Sequence, residues 1–392
     1  MPDMYDNSRP DRYFTEAHQA FRQSLRAFVA RDITPNVEAW EAAGHLPRDL
    51  YRKAARMGIQ GVLFPEEVGG SAGDFFMQVV VTEEMARCGA GGVCASLGSH
   101  SIGIPPVVAH GSDALCAAFA VPVIAGEKIA ALAVTEPGGG SDVAALRTTA
   151  VRDGDHFVVN GEKTFITSGM QADVITVAVR TDPVSRGAGG ISFLLVEGDT
   201  PGLERRALKK MGWWASDTAH LTFTDCRVPA DHLIGVEGQG FRAAMMNFNS
   251  ERLIIAVQAY SMAQVCYEEA LAWARQRRAF GGTLTEQQVI RHKLVDMAAR
   301  IDAARTLTHD IIWRRMEGLD PLNVHVARTS MAKIQATEAM KFCADQAVQI
   351  LGGMGFMQGT ASERIYREVK VLTIGGGTDE VMRNLAASQL GI

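Results

Sequence analysis

Residues 153–161 read Asp-Gly-Asp-His-Phe-Val-Val-Asn-Gly. In this stretch a short β-prone run, 156–159, lies between the dipeptides Asp153-Gly154 and Asn160-Gly161. Aspartate, asparagine and glycine adopt the positive φ angles that tight hairpins require, so each dipeptide predicts a turn. Two more runs that alternate or are β-branched follow at 174–179 and 191–196. We therefore predict an antiparallel sheet in the middle of the chain.

The segments on both sides of this sheet carry the apolar spacing of amphipathic helices. From about residue 15 to 120 apolar side chains recur every three or four residues, as Phe21, Leu25 and Phe28 do. After Gly240 the same period returns in segments long enough for an up-and-down bundle. The order helix, sheet, helix predicts an α+β fold. We predict an N-terminal helical domain over 1–125, a middle antiparallel β domain over 126–236 and a C-terminal four-helix bundle over 237–392.

Composition restricts the class of protein. A chain of 392 residues with 47% hydrophobic residues is long enough for two or three packed units. A formal net charge of -5 provides no large basic surface for nucleic acid or an anionic bilayer. The first dozen residues lack the basic start and apolar run of a secretory peptide, and no later stretch is apolar for long enough to span a bilayer. We expect a cytoplasmic protein with neither a nucleic-acid nor a membrane partner.

The six cysteines and the first glycine motif both favour ordinary structural roles. The cysteines lie far apart, without a CxxC pair or a His/Cys cluster at ligand spacing, so we expect reduced thiols and no metal site. Gly238-Gln-Gly-Phe-Arg-Ala243 matches the dinucleotide-binding fingerprint. That fingerprint works only where a strand turns into a helix, and here it opens an all-helical stretch. A loop-to-helix turn is therefore the favoured interpretation.

Three further segments could hold a ligand, and each also has a simpler explanation. Residues 133–142, Ala-Val-Thr-Glu-Pro-Gly-Gly-Gly-Ser-Asp, end a strand with glycines that suit a flat or phosphorylated ligand, or only a turn. Phe165 and Thr167 share one face of a strand, which would suit an aromatic cofactor but is also typical of a half-buried strand. In residues 374–380, Ile-Gly-Gly-Gly-Thr-Asp-Glu, the glycines indicate a close approach to the backbone, and Thr378 is predicted to cap the next helix.

These segments, in this order and at these separations, resemble the acyl-CoA dehydrogenase family from roughly residue 14 to the end of the chain. Residues 134–142 resemble its first signature and 349–355 its second. The resemblance implies FAD, bound noncovalently between sheet domain and bundle, and a homotetramer built as a pair of dimers. It also implies an acyl-CoA substrate and an electron-transfer flavoprotein as the electron acceptor.

The resemblance also implies which residues contact FAD. Within one subunit these are Leu132, Val134, Thr135, Gly140, Ser141, Phe165, Ile166, Thr167, Thr378 and Glu380. A second set is expected to reach the flavin nucleotide of a neighbouring subunit, namely Arg277, Phe280, Gln288, Gln349, Gly352 and Gly353. The chain departs from the family at Phe165, where tryptophan is more common, at Ala279, where threonine is frequent, and at Gly359, where an acidic residue is usual.

The most informative departure concerns the catalytic base. Many members carry a glutamate at the position of Gly376, which has no carboxylate here. A second group, which includes isovaleryl-CoA and long-chain acyl-CoA dehydrogenases, carries the base on the bundle helix at the position of Glu251. Taken alone, Glu251 would be a solvated helix residue. With the resemblance, we expect Glu251 to be the base, and the Gly376 N–H and a flavin ribityl hydroxyl to bind the thioester oxygen.

The resemblance predicts FAD-dependent α,β-dehydrogenation of an acyl-CoA to the trans-2-enoyl-CoA. Substrate contacts are expected at Ser141, Asn249, Arg252, Gly375, Gly376 and Gly377. Gly375 replaces a bulky aromatic residue of straight-chain enzymes, and with Gly376 beside it the wall of the acyl site is expected to lack two side chains. We therefore predict a branched, long or isoprenoid-like acyl chain. Three alternatives remain: an acyl-CoA oxidase, an enoyl-CoA reductase on the same scaffold, and a scaffold protein that binds no flavin. Peroxide release in air would identify the oxidase.

Overall fold

The structure is a computed structural model that describes residues 11–182, 184–185 and 187–392, with the backbone alone over 242–247. Its residues form two compact units. The helical unit comprises the residues up to Ala39, Asp74–Cys94 and Asn249–Ile392, and the sheet unit comprises Trp40–Gly73 and Ala95–Phe248. The domain boundaries expected after residues 125 and 236 stay a prediction.

The N-terminal third is helical, as its apolar spacing predicts. Leu25 and Phe28 lie on the buried side of the first helix, and the next long helix begins at Asp74, whose carboxylate accepts from the Met77 N–H at 2.9 Å. The helices are α1 (Glu16–Phe28), α2 (Val37–Ala43), α3 (Arg48–Arg56), α4 (Phe75–Ala86), α5 (Gly91–Gly98), α6 (His100–Gly103), α7 (Pro105–His110), α8 (Asp113–Leu115) and α9 (Val121–Ile124).

A single large sheet forms the middle of the chain, as predicted. Its strands are β1 (Ala130–Ala133), β2 (Thr149–Asp153), β3 (His156–Thr167), β4 (Val174–Arg180), β5 (Ile191–Glu197), β6 (Leu203–Ala207), β7 (Thr218–Pro229) and β8 (Leu233–Ile234). The order is β6-β7-β3-β2-β4-β5-β8, with β1 beside β4. Most pairs are antiparallel, but β1 and β4 are parallel, with Ala130 opposite Val174. The long connection through β2 and β3 gives the chain room to return in the same direction.

One of the two predicted hairpin turns is confirmed and the other is wrong. Gly154 and Asp155 connect β2 to β3, with Asp153 opposite His156. Asn160-Gly161, in contrast, lies inside β3, where the register with β7 shifts between Val159 and Gly161. Gly161 has a φ of +144°, and a Cβ there would lie 2.7 Å from the Thr148 Cα. The glycine serves a β-bulge and a close backbone approach, and not a turn.

The central strands β4 and β5 are covered on both faces, because every residue except the last of each strand is buried, and most of these residues are apolar. On one face Phe193 and Leu195 pack with Ile104 and Val107 from the helices before the sheet. On the other face a second cluster forms around Phe157 with the remaining inward side chains, among them Val177, Leu194, Val196, Leu221 and Phe223. This packing makes the sheet a firm support for the loops at its ends.

The C-terminal part is helical, as predicted, with two short strands forming a hairpin after the first helix. Its elements are α10 (Gly240–Gln276), β9 (Arg278–Ala279), β10 (Gly282–Thr283), α11 (Gln288–Met316), α12 (Leu322–Leu351), α13 (Gly353–Phe356), α14 (Ala361–Ile374) and α15 (Asp379–Leu390). Helices α11, α14 and α15 pack on α12. The glycine motif at 238–243 opens α10 from a loop, which agrees with the loop-to-helix interpretation. No helix in the described ranges is both long and apolar enough to cross a membrane.

A buried polar cluster holds α10 against α4 and α11. The Tyr260 hydroxyl donates to Glu83 Oε1 at 2.8 Å and lies 2.9 Å from His309 Nε2. Arg22 from α1 pairs with Glu83 at 2.6 Å. Burial alone would raise the pKa of Glu83, but the charge of Arg22 and the hydrogen bond with His309 keep that pKa well below its usual range. The cluster therefore fixes the helix that carries Glu251.

Replacing Gly161 tests the bulge. Gly161→Ala should destabilise the fold by about 2–4 kcal/mol, because the new Cβ meets the Thr148 backbone at a φ that alanine avoids. Gly154→Ala is the matched control, since a Cβ there meets nothing within 4 Å. It should cost only about 1 kcal/mol for its left-handed φ. Thermal denaturation measures both, and equal losses would contradict the proposed close approach.

Candidate active site

Helix α10 carries the predicted base. Glu251 lies about three turns after the start of α10, at 3.6 residues per turn, and its side chain is half-buried. Burial raises the pKa of the Glu251 carboxyl from 4.5 to about 8, although the positive charge of Arg252 opposes the shift. A carboxyl group with this pKa exchanges its proton near neutral pH, which is the property a general base needs.

Arg252 connects α10 to the glycine-rich loop. Its Nε donates to the Gly376 carbonyl at 3.0 Å, and its Nη1 donates to Asn249 Oδ1 at 3.0 Å. The side chain is buried, with 8% of its surface exposed, and burial lowers the pKa of the guanidinium while Glu251 raises it. The structure thus brings together three residues that the sequence assigned to the substrate, Asn249, Arg252 and Gly376.

The loop 375–377 follows α14 and turns back through two left-handed glycines. Gly376 has a φ of +69° and Gly377 a φ of +106°. A Cβ on Gly376 would lie 2.7 Å from Ile255 Cδ1, one helical turn beyond Glu251. A side chain at 376 would therefore require Ile255 to move. In the described part of the chain the Gly376 N–H has no backbone acceptor, so it remains available to a ligand.

Asp379 and Glu380, the two other acidic residues next to the loop that could serve as a base, make contacts of their own. Asp379 Oδ1 accepts from Lys333 Nζ at 3.2 Å. Glu380 is exposed, and its own backbone N–H and the Thr378 hydroxyl lower the pKa of its carboxyl. Thr378 caps α15 as predicted, accepting from the Val381 N–H at 3.3 Å. The sequence does not predict that Lys333 belongs to this region, because nothing in the apolar spacing of α12 distinguishes it from a surface lysine.

In the sheet unit a buried lysine fixes the first signature. Lys163 is fully buried, and its Nζ donates to the Val134 carbonyl at 3.1 Å and to Glu136 Oε1 at 2.8 Å. The Thr164 N–H donates to the Thr135 carbonyl at 2.9 Å. Burial lowers the pKa of Lys163 to about 8, although the charge of Glu136 opposes this shift. The segment from Leu132 to Glu136 is therefore attached to β3 at several points.

A second bulge in β3 turns the side chain of Phe165 toward solvent. The register with β7 shifts between Lys163 and Ile166, and Phe165 has a φ of +61°. Lys163 is buried while Phe165 is 70% exposed, so the simple two-residue alternation breaks between them. Ile166 is buried and Thr167 is half-buried. The aromatic ring of Phe165 is therefore presented by backbone geometry that the sequence pattern did not show.

The three glycines of the first signature, residues 138–140, are exposed at the surface of the sheet unit. A Cβ on Gly138 or Gly139 would meet no atom within 4 Å, and Gly140 and Ser141 are exposed. An exposed aromatic ring and an open glycine backbone in the same unit fit a flat, phosphorylated cofactor such as FAD.

The remaining predicted cofactor residues lie on the surface of the helical unit. Arg277 is ~39 Å along the helix from Glu251, at 1.5 Å per residue, and therefore outside the site around that carboxylate. Phe280 is 92% exposed with a φ of +52°. All six predicted members of this set are exposed, namely Arg277, Phe280, Gln288, Gln349, Gly352 and Gly353.

Comparison with known proteins gives one consistent result. Family models described as acyl-CoA dehydrogenase N-terminal, middle and C-terminal domains match residues 15–127, 131–226 and 238–391. The long-chain specific acyl-CoA dehydrogenase of Sus scrofa mitochondria is 37% identical over 381 residues, covering 97% of this chain and 87% of the relative. The short-chain specific acyl-CoA dehydrogenase of Rattus norvegicus mitochondria is 37% identical over 377 residues, covering 96% of this chain and 90% of the relative. The crystal structure of a probable acyl-CoA dehydrogenase from Mycobacterium abscessus has a TM-score of 0.94 and 49% identity, covering 97% of this chain and 100% of that one.

The raised pKa of Glu251 makes stability depend on pH. The unfolded chain ionises this carboxyl at its ordinary pKa of 4.5 and the folded chain only near 8, so folding becomes less favourable as pH rises between those values. Glu251→Gln removes this dependence. Between pH 5 and pH 8, the free energy of unfolding of the variant should rise by about 3 kcal/mol relative to that of the wild type. Thermal denaturation of both proteins across this range measures the gain, and parallel curves would contradict the desolvation of Glu251.

Proposed function

The chain belongs to the acyl-CoA dehydrogenase family, and on that basis we propose that Glu251 is the base for a branched, long or isoprenoid-like acyl-CoA. Members of this family are FAD-dependent oxidoreductases that dehydrogenate acyl-CoA thioesters. One observation carries the assignment of the base. Position 376 has no carboxylate and Ile255 fills the adjacent space, whereas a desolvated carboxyl lies one turn away on α10.

Proton transfer to Glu251 is the first role of this chain in the proposed reaction. The α C–H bond gives its proton to the ionised carboxylate, its electron pair forms the Cα=Cβ double bond, and the β hydrogen leaves as hydride. FAD, when bound, supplies the acceptor for that hydride. Because the pKa of Glu251 lies near the operating pH, its carboxylate is strongly basic and still substantially ionised.

Stabilisation of the thioester oxygen is the second role. The Gly376 N–H is the proposed protein donor, and it has no other backbone acceptor in the described ranges. Negative charge builds on this oxygen as the α proton leaves. A preorganised donor of this kind contributes about 3 kcal/mol to lowering the barrier in comparable oxyanion holes. Glycine keeps this N–H although it has lost the carboxylate.

The proposed FAD contacts fall into two groups. In the sheet unit, the ring of Phe165 provides an aromatic face for the flavin. The segment 132–135 provides backbone groups, and Thr167 provides a hydroxyl. The glycines before Ser141 leave room for the phosphates. On the helical unit, the set that begins at Arg277 is exposed, and Arg277 itself lies ~39 Å along α10 from Glu251, which supports a contact with the cofactor of a second subunit. We therefore propose a homotetramer, and an electron-transfer flavoprotein as the acceptor.

The proposed substrate class rests mainly on Gly375. Its φ of -62° is compatible with any residue, and a Cβ there would lie 3.2 Å from the Val371 carbonyl, the nearest atom. The space beside Gly376, in contrast, is already occupied by Ile255. The extra room for the acyl chain therefore comes from one missing side chain, and not from two as the sequence suggested. Relatives of equal identity are named for long and for short chains, which leaves chain length to experiment.

Glu251→Gln tests the base. We expect a folded, yellow protein whose kcat falls by at least ~10³, because an amide cannot take the α proton. Glu268→Gln is the matched control on the same helix, where Glu268 accepts from Gln264 at 2.7 Å. It should retain wild-type turnover. If Glu251→Gln kept more than a tenth of the activity, another group would have to be the base.

A panel of thioesters tests the substrate class. We expect higher kcat/KM for some of isovaleryl-, citronellyl-, octanoyl- and palmitoyl-CoA than for butyryl-CoA. Gly375→Phe should lower kcat/KM for the bulky substrates by at least ~10-fold and spare butyryl-CoA, because it narrows the wall without touching the base. Gly375→Ala is the control with a small side chain. A strong preference of the wild type for butyryl-CoA would refute the proposed class.

A further inference from the structure

The three glycines of the loop 375–377 need external contacts to adopt one conformation. Glycine samples both left-handed and right-handed backbone angles and loses more freedom on ordering than any other residue. Two consecutive members of this loop, Gly376 and Gly377, have positive φ angles. A useful N–H donor must nevertheless hold a fixed direction before the substrate arrives. Something outside the loop therefore has to fix its peptide planes.

Two buried cations fix successive carbonyls of this loop. Arg252 on α10 donates to the Gly376 carbonyl at 3.0 Å. Lys333 on α12 donates to the next carbonyl, that of Gly377, at 2.9 Å. The loop is also attached at its start, where the Gly375 N–H donates to the Val371 carbonyl at 2.7 Å. The peptide planes 376–377 and 377–378 are thus oriented by α10 and α12. Together with the Gly375 bond to Val371, these contacts hold the peptide planes on both sides of the plane 375–376, which carries the Gly376 N–H.

Lys333 is not positioned like an ordinary surface lysine. None of its side chain is exposed, and its ammonium bridges the Gly377 carbonyl and Asp379 Oδ1, which lies 3.2 Å away. Asp379 is buried as well. Burying an ammonium group is costly unless it is paired and hydrogen-bonded, and both partners here belong to the loop or to the helix that follows it. The lysine therefore joins α12 to the loop and to the start of α15.

We propose that Lys333 is a positioning residue that orders the loop 375–377 and so directs the Gly376 N–H toward the thioester oxygen. This proposal rests on the role of that N–H given above. In this role Lys333 acts through the Gly377 carbonyl and needs no contact with substrate or reacting atoms. Arg252 performs the matching task on the preceding carbonyl. Because residue 376 has no side chain to restrict its own backbone, this chain depends on the two cations for that order.

The test compares the flavin-loaded double variant Lys333→Met with Asp379→Asn against Asp379→Asn alone. The double variant removes both charges, so no unpaired charge is left buried, and the single variant keeps the bond from Lys333 to Gly377. Lys341→Met is the control on the same helix, since Lys341 is exposed and pairs with Glu338 at 3.7 Å. Hydrogen exchange of the peptide that spans 374–378 is measured first, without substrate. We expect it to accelerate at least ~10-fold in the double variant only.

The second measurement separates ordering from catalysis. The α C–H of a 3-oxoacyl-CoA lies between two carbonyl groups and is acidic, so its enolate, with charge on the thioester oxygen, serves as the charged probe; a saturated acyl-CoA does not carry that charge. The double variant should lose at least ~10-fold in enolate affinity, with less than about threefold change for the saturated thioester. Its kcat should fall at least ~10-fold with KM nearly constant. In the plot of kcat against pH, the midpoint of the rise should stay at the wild-type pH, because Glu251 is intact.

Each outcome either supports the proposal or overturns it. Unchanged hydrogen exchange in the double variant would show that Lys333 does not order the loop. Faster exchange with unchanged enolate affinity would show that the order does not serve the N–H. Neither measurement depends on which group takes the α proton. A failure of Glu251 as base would therefore appear in the Glu251→Gln experiment and leave these two results intact.

Discussion

The contact between α10 and the glycine bend is the constraint on which the proposed chemistry depends. Arg252 holds the Gly376 carbonyl, and Ile255 occupies the space where a side chain at 376 would begin. Both residues lie within one turn of Glu251, so the helix that carries the carboxylate also shapes the loop that would donate to the thioester oxygen. The proposed base and the proposed N–H donor are therefore fixed with respect to each other by a single short segment of helix.

Burying these charged groups destabilises the fold, and buried polar contacts in several parts of the helical unit offset this destabilisation. A desolvated carboxylate opposes folding as pH rises, and the buried cations Arg252 and Lys333 need partners. Lys333 has Gly377 and Asp379, and Arg252 has Gly376 and Asn249. The cluster of Glu83, Tyr260 and Arg22 fixes the rest of α10 against its neighbours. In the sheet unit, Lys163 attaches the first signature to β3 in a similar way.

Much of the fold followed from local sequence, and the exceptions have a common cause. The order helix, sheet, helix, the cap at Thr378 and the hairpin at Gly154 all depend on residues close together in the chain. Asn160-Gly161 has the same composition as a turn, but its conformation is set by the distant Thr148 backbone. The parallel pairing of β1 with β4 likewise depends on the path of the chain over forty residues. In the site, the resemblance identified the residues around Glu251, whereas Lys333 and the bulge at Phe165 required three-dimensional contacts that no spacing in the sequence shows.

The proposed transfer of the α proton to Glu251 can be measured apart from hydride transfer, through exchange of that proton with solvent. A CoA thioester with sulfur in place of the β carbon has no β hydrogen to lose, so in D₂O its α hydrogens report deprotonation alone by NMR. We expect the wild type to catalyse this exchange, with a rate that rises as pH approaches about 8, and Glu251→Gln to lower the rate by at least ~10³. Equal exchange rates in the two proteins would contradict the proposed role of Glu251.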